Sequence, residues 1–78
     1  MYIDIKDKDK RKELLNLLER KSFKYKNFKR DNILSSDLPI HIYTETKEIG
    51  MVGNRNYLKV SKIKYTEYED VLKNLDKF

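Results

Sequence analysis

The sequence predicts an α+β fold: a small antiparallel sheet with two helices, in the approximate order β-α-β-β-β-β-α. Two periodicities carry this reading. Apolar residues alternate at period two in several short segments, and they recur at helical spacing around residues 14–18 and 68–75. A third observation is length: seventy-eight residues make one domain, 1–78, with no room for a second. Hydrophobic residues are 38% of the chain and charged residues 40%. That balance lies near the disordered class, and the periodic apolar positions with nine aromatics place the chain among folded ones. A chain this short buries only about 60–65% of its unfolded surface. Its core is thin, so a partner or a second copy in a homodimer is a natural source of added stability.

Tyr2-Ile3-Asp4-Ile5-Lys6 alternates strictly and reads as the first strand, with Ile3 and Ile5 on one face. Asp7 or Asp9 is suited to cap a helix over about 9–21, since a short carboxylate accepts the first-turn amide protons. Leu14, Leu15, Leu18 and Leu17 line one side of that helix, opposite Lys10, Lys12, Glu13, Asn16, Glu19 and Arg20. Residues 22–26 read as a half-buried strand ending or bulging at Phe28. Residues 29–37 are rich in Asp, Asn and Ser and read as a loop pinned by Ile33 and Leu34. Residues 38–44 alternate again, with Pro39 at the strand start or on an edge. A turn at 45–47 leads to Ile49 and Met51, and Gly53-Asn54 signals a second turn. Residues 57–61 form the last strand, extending toward Ile63. Thr66 and Glu69 have capping-box spacing, opening a helix that carries Tyr68, Val71, Leu72, Leu75 and Phe78.

Net charge is +5, and it is unevenly placed. Residues 1–30 hold eleven Lys/Arg against five Asp/Glu, and residues 31–78 hold seven against eight. The densest stretch is 20–30, with six cations, three aromatics and no carboxylate. Such asymmetry points to an anionic partner, either nucleic acid or the acidic face of a protein. The partner-binding candidates are Arg20, Lys21, Lys24, Lys26, Lys29 and Arg30, with Lys59 and Lys62 in a second basic row that also holds Lys64. Phe23, Tyr25 and Phe28 either stack on bases or fill the core. A thin core favours the second role, which leaves the lysines as an exposed edge. Tyr25, Tyr43, Tyr57 and Tyr65 could equally make a protein-facing patch.

The absence of cysteine excludes disulfides and zinc-thiolate sites. His41 is the single histidine, flanked by Ile40 and Ile42, and points toward a surface or cross-strand pairing role beside Tyr43. The acidic sets Asp4, Asp7, Asp9 and Glu67, Glu69, Asp70 fall at helix N-termini, where the macrodipole favours negative charge. Gly50 and Gly53 match no phosphate-binding pattern. The expectation is therefore a protein that is not an enzyme, with no catalytic residue, metal or cofactor. No apolar run approaches the ~20 residues of a membrane span, and the N-terminus lacks the apolar run of a signal peptide. The expected location is the cytoplasm of a bacterial cell.

The helix end and strand at 17–25 (LLERKSFKY), with 38–43 (LPIHIY) and 48–51 (EIGM), resemble small proteins encoded by phages of AT-rich bacteria. In those a leucine helix leads into a strand like Gly-Tyr-Lys-Trp, then a loop and a hairpin. Here Ser22 and Tyr25 stand where the glycine and tryptophan would be, and Met51 where a tyrosine often stands. The resemblance implies a phage or mobile-element accessory protein that blocks host machinery, including restriction and CRISPR effectors. It transfers no functional residue. The helix–strands–helix order also looks like double-stranded-RNA-binding domains and HicA-type toxins. The former carry lysines where this chain has Glu67, Glu69 and Asp70, and the latter a histidine context that His41 lacks. The leading expectation is a non-enzymatic inhibitor that binds a host protein or nucleoprotein complex. The alternative is direct DNA or RNA binding by ribbon 20–30.

Overall fold

The computed structural model of the chain describes residues 1–53, 56 and 62–77. Strand β1 (Tyr2–Ile3) leads into helix α1 (Lys8–Arg20), strand β2 (Lys24–Tyr25) and helix α2 (Arg30–Ser35). Strands β3 (Ile40–Tyr43) and β4 (Glu48–Met51) follow, then helix α3 (Tyr68–Asn74), which tightens into a 3-10 turn at Leu75–Lys77. The α+β class holds. The expected strand at 57–61 and the contact of Phe78 lie outside the described residues.

The sheet order is β1-β3-β4-β2. β4 pairs antiparallel with β3 across the turn expected at 45–47, and β1 pairs antiparallel with the other edge of β3, but β2 pairs parallel with β4. The sheet is therefore mixed rather than wholly antiparallel. The cause is α1. A helix between β1 and β2 carries the chain back along the sheet, so the two strands run the same way, and the β3–β4 hairpin inserts between them.

Asp7 is the cap that forms at α1: its Oδ1 accepts the amides of Asp9 at 2.9 Å and Lys10 at 3.2 Å. Leu14, Leu15 and Leu18 are buried against Ile3, Ile5, Ile33, Ile40, Ile42 and Ile49, and Leu17 packs at the rim. At the far end the Phe23 amide donates to the Leu18 carbonyl (3.1 Å) and the Ser22 amide to Glu19 (3.0 Å). These are the two bonds of a Schellman cap. Ser22 takes the left-handed conformation that such a cap requires, with φ 69°. That is the position where the phage resemblance places glycine.

Two expectations need correction. Residues 29–37 are not a loop, because Arg30–Ser35 is helical. Polar composition hid this helix, and tertiary contacts make it. Ile33 is fully buried, and the Ile33 carbonyl accepts Arg11 Nε at 2.9 Å and Nη2 at 2.6 Å. A cation at the helix C-terminus is favoured by the dipole. At the other end the Lys29 amide donates to Asn32 Oδ1 at 3.0 Å. The Thr66–Glu69 capping box is also not formed: α3 starts one residue later, with Glu67 as its cap residue. The Thr66 amide instead donates to the Tyr2 carbonyl at 2.6 Å, holding this segment along β1.

Arg11 ties the layers together. It shares the helix face of Leu14, Leu15 and Leu18, and it is fully buried. Beyond its bonds to Ile33, Nη1 donates to the carbonyls of Ile5 (2.7 Å) and Leu38 (2.8 Å). One guanidinium thus satisfies backbone acceptors from the segment between β1 and α1, from α2 and from the approach to β3, which would otherwise be desolvated without donors.

Candidate functional site

The basic stretch 20–30 does not survive as one charged surface. Arg30 pairs with Glu19 at 3.2 Å and donates to Asn16 Oδ1 at 2.6 Å, fastening α2 to α1. Lys21 lies 3.6 Å from Asp76. Phe23 is buried, and Tyr25 and Phe28 pack against the core. The Tyr25 hydroxyl donates to Glu19 at 2.8 Å. Burial and that carboxylate push the phenol well above its ordinary range, so it stays a donor. The core role proposed for these aromatics is the one the structure gives them.

What remains exposed from the stretch is Arg20, Lys24, Lys26 and Lys29. Among the described residues none of the four forms an ion pair. The Lys24 amide donates to the carbonyl of Lys47, just before β4 (2.9 Å), and the Lys26 amide to that of Ile49 on β4 (2.8 Å). β2 is an edge strand, entered from Ser22 and left through Asn27, both left-handed (φ 69° and 68°). Two residues long, lysine-bearing and bent away at both ends, it is poorly suited to recruit another strand. It presents side-chain charge instead.

Of the second row, Lys59 lies outside the described residues. Lys62 is exposed in a turn with φ 55° and Lys64 is exposed beyond it, and residues 62–64 are not in a strand. Of the tyrosines read as a protein-facing patch, Tyr65 is exposed and Tyr25 and Tyr43 are half-buried, while Tyr57 lies outside the described residues.

The feature that sequence reasoning missed is on the sheet. Tyr2 stands opposite His41, and Tyr43 opposite Glu48, which in turn faces Lys24. Directly paired residues share a face. Tyr2, His41, Tyr43, Glu48 and Lys24 therefore project from the side opposite Ile3, Ile40, Ile42 and Ile49. The Met1 and Ile42 backbones exchange both hydrogen bonds (3.1 and 2.8 Å). This makes Tyr2–His41 a non-hydrogen-bonded pair, where side chains approach most closely. Their rings stack at 4.1 Å with planes 21° apart, and His41 and Tyr43 follow at 3.8 Å and 33°. The Lys26 ammonium sits 4.5 Å from the Tyr43 ring centre, within cation–π range. Tyr43 rests on Gly50, where a Cβ would come within 3.1 Å of its ring. The three rings and the lysine make one column across β1, β3 and the end of β2. His41 takes the cross-strand pairing role expected of it. Burial, then the Met1 ammonium and Lys26, lower its pKa and favour the neutral ring.

A cleft of about 440 Å³ opens between the N-terminal ends of α1 and α3, bordered by Asp4, Asp7, Glu67 and Glu69 with Lys6 and Lys10. The acidic sets do what their positions predict: Asp7 caps, and Asp9, Glu69 and Asp70 occupy first turns. Among the described residues no group of three or more carboxylate or histidine side chains is arranged to hold a metal ion. Among them, too, no helix is long and apolar enough to cross a membrane. No protein-family model matches the chain. Comparison with curated proteins and with solved structures likewise finds no similar chain.

Proposed function

We propose that this chain is a non-enzymatic binding protein of the phage accessory type, which docks on a host protein or nucleoprotein machine and impedes it. Restriction and CRISPR effectors are the class of target. One observation carries the reading: the cations of the first half are divided by the fold. Arg11, Lys21 and Arg30 are used inside the molecule, while Arg20, Lys24, Lys26 and Lys29 stay exposed around an edge strand with no ion pair among the described residues. Exposed like charges held close together destabilise the compact state slightly, and they steer association with an oppositely charged surface. Such machines present acidic protein faces and phosphate backbones together. The bacterial cytoplasm is where this encounter would take place.

The test is charge reversal. The chain and its Lys24→Glu/Lys26→Glu/Lys29→Glu variant are immobilised and exposed to bacterial lysate at low and physiological salt. Specific capture of one assembly by the parent chain, lost in the folded variant and weakened by salt, is the expected result. Equal capture by both would remove the edge from the mechanism.

A further inference from the structure

We infer that the ring column Tyr2–His41–Tyr43, capped by Lys26, is a stacking site for unpaired bases of a single-stranded nucleic acid. This rests on the reading of the chain as a ligand of nucleoprotein machines, and names a strand that such a machine would expose.

The geometry supplies the three parts a single-strand platform needs. The first is a row of rings on a sheet face, here on the side away from the aliphatic core, with each ring half-buried rather than buried. The second is an end to the row that a base can occupy. Tyr43 packs against His41, and the flexible Lys26 side chain places its ammonium 4.5 Å from the Tyr43 ring centre. An ammonium over an exposed ring is held more weakly than a base stacked on an aromatic side chain. A base can therefore displace it, and the displaced lysine is then placed to meet the phosphate. The third is charge beside the row: Lys24 projects from the same face, and Lys47 lies next to it through the Lys24–Lys47 backbone bond at 2.9 Å. Glu48 stands among these groups and forms no ion pair with Lys24. Gly50 keeps the Tyr43 ring low on the sheet, since a side chain there would lift it. The site differs from ribbon 20–30: none of its rings belongs to that stretch, and the ribbon's aromatics are committed to the core.

The single histidine makes the test direct. Oligothymidylate and oligouridylate are titrated into the full chain at low salt. The His41 ring proton resonances are followed by NMR, and affinity by anisotropy of the labelled strand. The expected result is a saturable shift of the His41 resonances at the same concentration that gives binding. Tyr43→Ala should weaken affinity by roughly tenfold or more, Tyr43→Phe should retain it, and Gly50→Ala should fall between. If Tyr43→Ala does not fold, Lys26→Ala and the His41 shift decide the matter. Absence of binding at tens of micromolar chain would overturn the inference. So would binding that leaves His41 unmoved and is indifferent to Tyr43, or an acidic peptide shifting His41 where the oligonucleotides do not. The docking reading fails on a different arm, undiminished lysate capture by an Arg20→Glu/Lys29→Glu variant, which leaves the three rings, Lys24 and Lys26 in place.

Discussion

The two faces of the sheet are made by alternate residues of the same strands, yet different forces hold them. On one, Ile3, Ile40, Ile42 and Ile49 are at most 1% exposed and pack under α1. On the other, Tyr2, His41 and Tyr43 are half-buried and lean on one another. Aliphatic burial is non-directional and contributes about 1.5–3 kcal/mol per side chain. Ring pairs contribute about 0.5–1.5 kcal/mol beyond area and depend on ring position. The first face determines whether the chain folds, and the second what the fold presents.

The largest effect is expected on the buried side. Arg11→Leu keeps aliphatic bulk and helix propensity but removes the donors serving the carbonyls of Ile5, Ile33 and Leu38. Each desolvated acceptor left without a donor costs about 1–3 kcal/mol, so the loss should be about 3 kcal/mol or more. For a domain whose whole stability is of order 5–10 kcal/mol, urea denaturation would show a large fall in midpoint. A change below 1 kcal/mol would mean that water replaces the guanidinium.

Next comes the direct contrast between neighbours on β3. Ile42→Ala should destabilise by about 2–5 kcal/mol through lost burial and a cavity. Tyr43→Ala, one residue on and facing the other way, loses the ring contacts of a half-buried side chain and leaves no core cavity, so it should cost less than Ile42→Ala. Equal effects in thermal or urea unfolding would erase the distinction between the faces.

Arg11 and α2 show where the sequence was silent. The isoleucines of β3 and the leucines of α1 were legible because burial imposes a period, and Asp7 because a cap needs a short acceptor. Arg11 sits at the same helical spacing as Leu14, Leu15 and Leu18, and that spacing was its only signal. Nothing in a lysine- and arginine-rich helix start distinguishes a guanidinium that will be buried. α2 depends on it, since Ile33 and Leu34 alone do not make a helix of six residues whose C-terminal carbonyl is satisfied from another element. The ring column was half legible. Alternation placed His41 and Tyr43 on one face, but their partners Tyr2 and Lys26 arrive through pairings 39 residues apart in the chain and through a parallel edge strand. Sequence periodicity says which side a residue faces, and only register says beside whom.

A smaller effect is expected where α1 hands the chain to β2. Ser22 holds φ 69°, a conformation that strains a residue bearing Cβ by roughly 1–2 kcal/mol. Glycine adopts it freely, but it gives back some of this as a more flexible unfolded chain. Ser22→Gly should therefore stabilise by about 0.5–1 kcal/mol, seen as a raised denaturation midpoint with unchanged slope. Ser22→Ala should not stabilise. Because the cap lies beneath neither face, oligonucleotide affinity should be indifferent to both substitutions.

The smallest effect probes the ring face through protons. Burial, the Met1 ammonium and Lys26 all hold folded His41 below its ordinary pKa, while the unfolded chain titrates near ~6.5. As pH falls through that value the unfolded state takes the proton first. The stability linked to His41 is thus complete above about pH 7 and declines below it, levelling only once the folded ring is itself protonated. The Met1 amine is also depressed by burial, and its contribution has the same sign but falls nearer pH 8.0, the ordinary value of a terminal amine. Urea midpoints measured between pH 7.5 and 5.5 should fall with acidity, and His41→Gln should flatten that slope. Lys26→Gln should raise the NMR-determined pKa of His41 by removing a neighbouring cation. If His41→Gln left the slope intact, the imidazole would not be held between Tyr2 and Tyr43 beside Lys26, and the column would lose its central member. A flattened slope together with a raised pKa in Lys26→Gln ties lysine, imidazole and tyrosines into one electrostatic unit. A base stacked on Tyr43 in place of the Lys26 ammonium should then move the His41 pKa in the same upward direction as that substitution.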